Sequence, residues 1–495
     1  MKATIGAILI GLTGASVTLA QSPAFSRLTS NSPSFYAPPP AMPGLPSFVQ
    51  NQQVGAQLMG SGIPMPQVPM IPMPNVVVAD DGKQPAAPPM DPNQPYLTEP
   101  YNPPDYESLI PMEDYGGGGR SGVHLWMNAD YLFWWLNKGP QPNPLLSTGP
   151  ATDDFPGALD QPNTRILSGG SGQGFNAYSG VRLSLGMWAG SDSRYGFEVG
   201  GFLTEQKSNQ FRASGDANGQ PFLARPFINA RTGNENVYFV SQNFADPTRS
   251  AFMTGGIDIS SNSRLWGWEV NSLYNAYRGP VVAINLIGGF ASFGLREQLN
   301  VSESLRNLVP GGGVSFNGLP TDPTQTVLTF DRFETQNTFY GGQLGTRLHF
   351  QRNRLGIDVT AKAAIGVMQQ QAEIYGATVL QNPTGPIGGA LPGGVLASGP
   401  NIGHFFQNQF AVIPQGNFDL SYELIENLVV KVGYSFMYVN NVLRPGNQID
   451  RTVNPGFVPS DPEYGTPGGP ARPYFPNRTS TLWAQGINLG LEIRY

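Results

Sequence analysis

Cysteine is missing from this chain of 495 residues, and only three histidines occur. Without cysteine there is no disulfide, no thiolate metal site and no lipid-modified N-terminal cysteine, and His124, His349 and His404 alone do not make an ordinary zinc site. Charge is scarce as well. Asp, Glu, Lys and Arg make up 13% of the residues, and a net charge of -6 leaves no basic footprint for nucleic acid. Long apolar runs are also lacking: beyond the N-terminus the nearest, 281–287, is interrupted by Asn285 and bounded by Pro280 and Gly288. A membrane helix needs ~20 such residues. No Walker A motif, flanked GxGxxG, GxSxG elbow or HExxH is found. The glycines at 116–119 and 311–313 read as joint and loop residues. Asp216-Ala217-Asn218-Gly219 reads as a turn, because the rest of a calcium ligand series is missing. These absences point away from a charge-rich soluble enzyme and from a helical membrane protein, and no cofactor or metal is expected.

Glycine and proline are abundant instead, with 62 and 47 residues, and they are unevenly placed. Lys2 precedes an apolar run from Ala3 to Leu12, and Thr18-Leu19-Ala20 offers small residues for cleavage, so residues 1–20 read as a secretory signal peptide. Residues 21–120 are rich in Pro, Gln, Asn, Ser and finally Gly, a composition that cannot build a packed core. This stretch is expected to be a disordered periplasmic tether, either an inert spacer or an arm with a periplasmic or cell-wall partner.

At the other end, the last nine residues alternate apolar side chains with small or charged ones. Ile487, Leu489, Leu491, Ile493 and Tyr495 share one face, and Asn488, Gly490, Glu492 and Arg494 share the other. That period of two is the pattern of a transmembrane β-strand with one greasy and one wet face. A final strand ending in an aromatic also resembles the signal that the barrel assembly machinery reads.

Between these ends the pattern predicts strands near 124–136, 176–189, 194–206, 264–277, 280–295, 335–350, 354–372, 408–424, 427–440 and 481–495. Long connections at 137–175, 207–263, 296–334, 373–407 and 441–480 alternate with short turns at 190–193, 278–279, 351–353 and 425–426. Strict long and short alternation fits an outer-membrane barrel, with short periplasmic turns and longer outside loops. The expected fold is therefore all-β: a transmembrane antiparallel β-barrel of about ten strands over 121–495. Within those strands charge keeps to one face. Asp130, Arg182, Arg194, Glu198, Glu269, Asp358, Lys362, Lys431, Glu492 and Arg494 are expected to line the lumen, as a plug of ion pairs or as a narrow solute path. Arg444 and Asp450 flank a Pro-Gly turn and are candidates for the outer mouth, or for locking that turn. All seven tryptophans (Trp126, Trp134, Trp135, Trp188, Trp266, Trp268, Trp483) fall in strands or at their ends, as interface girdles require.

Residues 129–135 (ADYLFWW), 337–345 (NTFYGGQLG), 362–367 (KAAIGV), 410–414 (FAVIP), 432–438 (VGYSFMY), 441–450 (NVLRPGNQID) and 483–490 (WAQGINLG), with 289–290, 295–297 and 401–403, resemble successive blocks of a β-barrel porin family of planctomycete outer-membrane proteins. The chain departs from that pattern at Gln415, where an acidic residue is expected. The resemblance implies an outer-membrane barrel and brings no catalytic residues. It leaves two functions open: a restricted porin-like channel for ions or small solutes, and a non-conducting structural or surface-binding protein that acts through its long loops. A rim protease is the enzymatic alternative; of the histidines only His404 falls on the outer side, so a non-enzyme is expected. Outer-membrane lipid and the barrel assembly machinery are the partners expected.

Overall fold

In a computed structural model, the described residues are 124–189, 193–244 and 251–495. The signal peptide and the tether lie outside them, as does most of the turn at 190–193. The strands are β1 (His124–Leu136), β2 (Pro144–Thr148), β3 (Arg165–Gly169), β4 (Tyr178–Ala189), β5 (Tyr195–Thr204), β6 (Lys207–Ser214), β7 (Leu223–Asn229), β8 (Glu235–Asn243), β9 (Phe252–Arg278) and β10 (Val282–Asn307). After these come β11 (Ser315–Phe316), β12 (Leu319–Pro320), β13 (Thr326–Arg352), β14 (Leu355–Asn382), β15 (Gly385–Pro392), β16 (Gly403–Ile425), β17 (Leu428–Leu443), β18 (Thr452–Val453) and β19 (Thr479–Arg494).

Ten of them close a ring in the order β1, β4, β5, β9, β10, β13, β14, β16, β17, β19 and back to β1, every neighbour antiparallel. Closure leaves no edge through the membrane span, which is what allows a sheet to cross lipid at all. Each sequence-predicted strand is one of these ten. The outward face between the short turns and the middle of the strands is an apolar band: Val181, Leu183 and Leu185 on β4, Leu344 and Leu348 on β13, and Leu489 and Leu491 on β19 are all exposed.

Three of the expected long connections are corrected, because much of 207–263, 296–334 and 373–407 is strand. β9, β10, β13 and β14 run 27, 26, 27 and 28 residues, where β1 and β4 have 13 and 12. At ~3.4 Å per residue and a tilt of ~40°, the longest spans roughly 70 Å along the barrel axis, against an apolar band of about 25 Å. One wall therefore continues far past the membrane. Its alternation does not stop but changes phase. On β10, apolar Leu286 and Phe290 face outward, whereas beyond Gly294 it is Leu295, Leu299, Val301 and Leu305 that are buried inward, and Gln298, Asn300, Ser302 and Ser304 that face out. Lipid outside gives way to water outside, so greasy and wet faces exchange.

Candidate functional site: a blind lumenal chamber

At the short-turn end the lumen opens into a cavity of about 1670 Å³, reaching from the turns at Arg278–Val282, Gln351–Arg354 and Ile425–Asn427 to the middle of the strands. Asp130, Arg182, Glu198, Glu269, Asp358, Lys362, Lys431, Glu492 and Arg494 all line it. They pair as opposite charges do in a confined space. Lys362 Nζ donates to both oxygens of Glu269 at 2.6 Å, Arg347 Nη2 donates to Glu198 Oε2 at 2.9 Å, and Arg494 Nε donates to Glu492 Oε1 at 2.5 Å. Lys431 also bonds Glu492, and Arg182 stands 3.8 Å from Asp130. Glu198 and Glu492 are buried, whereas Asp130, Arg182, Glu269, Arg347 and Lys362 keep part of their side chains exposed to the cavity, so water shares in solvating these.

Arg194 is the exception. It precedes β5, sits exposed at the rim, lies over the Tyr274 ring at 5.7 Å and donates to its hydroxyl at 3.3 Å. Sequence reasoning missed Arg347, His349 and Asp419, all of which line the chamber; His349 Nδ1 lies 2.7 Å from Asp358 Oδ1. Each alternates with outward Leu348, Phe350, Phe418 or Leu420, so the same period of two carried the signal.

The tryptophan expectation is partly corrected. Trp126, Trp134 and Trp188 line the chamber, while Trp135 and Trp268 are exposed outward. Trp126 lies inside because Gly186 opposite it has no side chain; a Cβ there would come within 2.1 Å of the ring. Trp134 Nε1 donates to Asn488 Oδ1 at 3.0 Å, and its ring meets Phe202 at 5.3 Å.

Past the chamber the inward side chains turn apolar. Leu132, Leu265, Phe293, Leu295, Phe339, Met368, Ala411, Ile413, Met437, Val439 and Leu482 are buried together, an apolar layer contributed by most strands of the ring. A barrel of this strand number is narrow enough for side chains to fill it.

Above that layer the outer half is packed like the core of a soluble domain. β2, β3, β7, β8 and β18 pair with one another, and Leu145, Leu146, Leu223 and Phe227 from them pack with Val395 and Leu396 of the segment after β15 inside the tall wall. Buried charge is paired with opposite charge there. Arg225 Nη2 donates to Asp331 Oδ2 at 2.7 Å, and Glu303 is 3.1 Å from its other amine. Burial alone would depress the Arg225 pKa, but the two carboxylates outweigh it and move it upward. Asp331 Oδ1 also accepts from the backbone of Val395, Leu396 and Ala397 at 2.8 to 3.1 Å.

Neither outer-mouth candidate lines an opening. Arg444 is buried and grips Glu297 through two hydrogen bonds, one of them Nη2 to Oε1 at 2.8 Å. Asp450 accepts from Arg472 Nη1 at 2.7 Å and from the Thr452 and Tyr474 amides at 3.0 Å. Both lock loops. The five C-terminal residues Ile487, Leu489, Leu491, Ile493 and Tyr495 are all exposed on the outward face, with Asn488 and Glu492 buried opposite.

Asp216 Oδ1 accepts from the amides of Asn218 and Gln220 at 2.8 Å, as a plain Asx turn does. His404 is exposed on the outer wall, 3.8 Å from Glu373. Among the described residues no group of three or more His, Cys, Asp or Glu is placed to hold a metal ion.

No curated protein is similar to this chain. Among solved structures, the outer membrane protease OmpT of Escherichia coli is similar at 9% identity, with 75% of this chain and 96% of that chain covered and a TM-score of 0.33. The toluene transporter TodX of Pseudomonas putida (10%, 76% and 90%, TM-score 0.16) and a FadL homologue of Pseudomonas aeruginosa (8%, 75% and 90%, TM-score 0.18) are similar more weakly. No residue role passes through likenesses of this size. The family model described as Putative beta barrel porin-7 (BBP7) matches residues 126–495, nearly the whole described barrel, and the chain belongs to that family.

Proposed function

We propose that this chain is a non-enzymatic outer-membrane barrel, closed to solutes, that serves as a rigid base for a folded cap meeting partners at the cell surface. The observation that carries this reading is the apolar layer across the lumen, with Leu132, Phe293, Phe339, Met368 and Val439 buried between the polar chamber and the cap. An ion crossing such a layer would shed its hydration without replacement ligands, at a cost of several kcal/mol or more. The ion pairs of Arg225 and Arg444 support it further, because they tie the cap to the tall wall at Glu303, Asp331 and Glu297. In this reading the short turns and the chamber face the periplasm. The C-terminal strand is the element offered to the assembly machinery.

The chamber favours a second reading, a restricted channel at rest, since mixed charge on a wet wall suits small ions. Planar-bilayer recording separates the two. The wild-type protein is expected to insert without discrete openings, and a Phe293→Ala, Phe339→Ala, Met368→Ala triple variant to open. Regular unitary openings of the wild type would overturn the closed reading and favour the channel.

A further inference from the structure

The outward surface of the tall wall changes character just above the apolar band, and it does so on adjacent strands. Trp268 is exposed beside Phe290, their rings 5.8 Å apart. Trp266 lies over Gly294, where a Cβ would come within 2.1 Å of the indole. Aromatic rings at this height mark the boundary between acyl chains and headgroups. Two residues farther along, Arg264 and Arg296 stand directly opposite each other on β9 and β10, both exposed. Like charges opposite one another on a sheet face destabilise it. Arg296 donates to Glu334 at 2.6 Å, and Arg264 has no ion pair or side-chain hydrogen bond among the described residues. Two guanidinium groups therefore face each other at headgroup height, and the Glu334 carboxylate pairs with Arg296 alone.

Beyond the arginines β9 and β10 carry uncharged donors and acceptors on the same face, with Arg332 of β13 opposite Asn300. Asn262 opposes Gln298, and Ser260 opposes Asn300. Gln298 Nε2 donates to Asn300 Oδ1 at 2.8 Å, and Asn300 Nδ2 donates to Ser260 Oγ at 3.3 Å. Cation, then uncharged amides and hydroxyls, stacked above aromatics, is the complement of a molecule with a phosphate between acyl chains and sugars.

We propose that Arg264 and Arg296 dock the phosphate of a phosphorylated glycolipid of the outer leaflet, with Asn262, Gln298 and Asn300 bonding its sugars and Trp268 meeting its acyl chains. Guanidinium is the side chain suited to phosphate, because its fork donates two parallel hydrogen bonds. The inference rests on the outer-membrane reading given above.

The test uses the full chain, folded in detergent micelles, with purified lipopolysaccharide as the probe and native mass spectrometry as the readout. Wild type is expected to retain lipopolysaccharide at least tenfold more tightly than the Arg264→Gln, Arg296→Gln double variant. Arg212→Gln, farther out on β6 and paired with Asp258, should bind as wild type does. Heat-modifiable migration confirms that each variant is folded. Dephosphorylated lipopolysaccharide, phosphatidylglycerol and equimolar inorganic phosphate should each bind wild type at least tenfold more weakly. Equal binding by the double variant, by the dephosphorylated lipid or by phosphatidylglycerol would overturn the proposal. Cell fractionation keeps the two readings apart: a wild-type protein absent from the outer membrane sinks the proposed function, whereas one present there with equal binding by the double variant sinks this inference alone.

Discussion

Asp331 carries two loads with one side chain: one oxygen holds Arg225, and the other collects three consecutive amides of the loop at 395–397. With both Asp331 and Arg225 nearly inaccessible to water, removing the carboxylate leaves a buried cation with half its partners and three amides with none. Asp331→Ala is expected to cost about 3 to 5 kcal/mol, read as a lower urea midpoint for the cap and as new protease cleavage near 393–398. Lys362 in the chamber is the contrasting case. Its partner Glu269 keeps 21% of its side chain exposed, so water is at hand when the ammonium is lost. Lys362→Met should therefore cost only about 1 to 2 kcal/mol in the same measurement, and a cost equal to that of Asp331→Ala would show the chamber to be dry.

On the scale of the strand, the governing quantity is which face meets lipid. Leu491 points outward and Arg494 lines the chamber. A charge on the lipid face costs roughly 2 to 4 kcal/mol at the midplane and 0 to 1 near the interface, so Leu491→Arg should reduce the protein recovered in the outer-membrane fraction. Arg494→Ala should insert nearly as wild type; equal recovery of the two variants would contradict the assignment of faces. Nine of the ten residues expected in the lumen border the chamber, Arg347, His349 and Asp419 border it too although they were passed over, and the same alternation placed all ten ring strands. It failed where the phase changes. At Gly294 on β10, and again between Val367 and Met368 on β14, two inward and outward patterns of opposite polarity abut, and one strand reads as a strand followed by a loop. Nothing local marks the join, because it is set by the height of the membrane. The cap was illegible for a related reason: Arg225 with Glu303 and Asp331, and Arg444 with Glu297, are partners more than 70 residues apart.

For the whole molecule, three media succeed one another along the barrel axis: a wet chamber, a dry layer and a packed cap. Residues 21–113 lie outside the described residues, and their deletion behind the expected signal should leave a barrel that still shows heat-modifiable migration; loss of the compact band would make this stretch part of the fold. Closure itself is open to direct measurement because the chain has no cysteine, so each introduced thiol reports alone. Ser184 lines the chamber, Ala411 is fully buried in the apolar layer, and Leu489 faces lipid. Single variants Ser184→Cys, Ala411→Cys and Leu489→Cys, reconstituted in liposomes, would be exposed to a small, charged, membrane-impermeant thiol reagent. A closed barrel predicts rapid labelling at 184 and none at 411 or 489 over the same interval; labelling at 411 as fast as at 184 would mean that water passes through the layer, and would contradict the account.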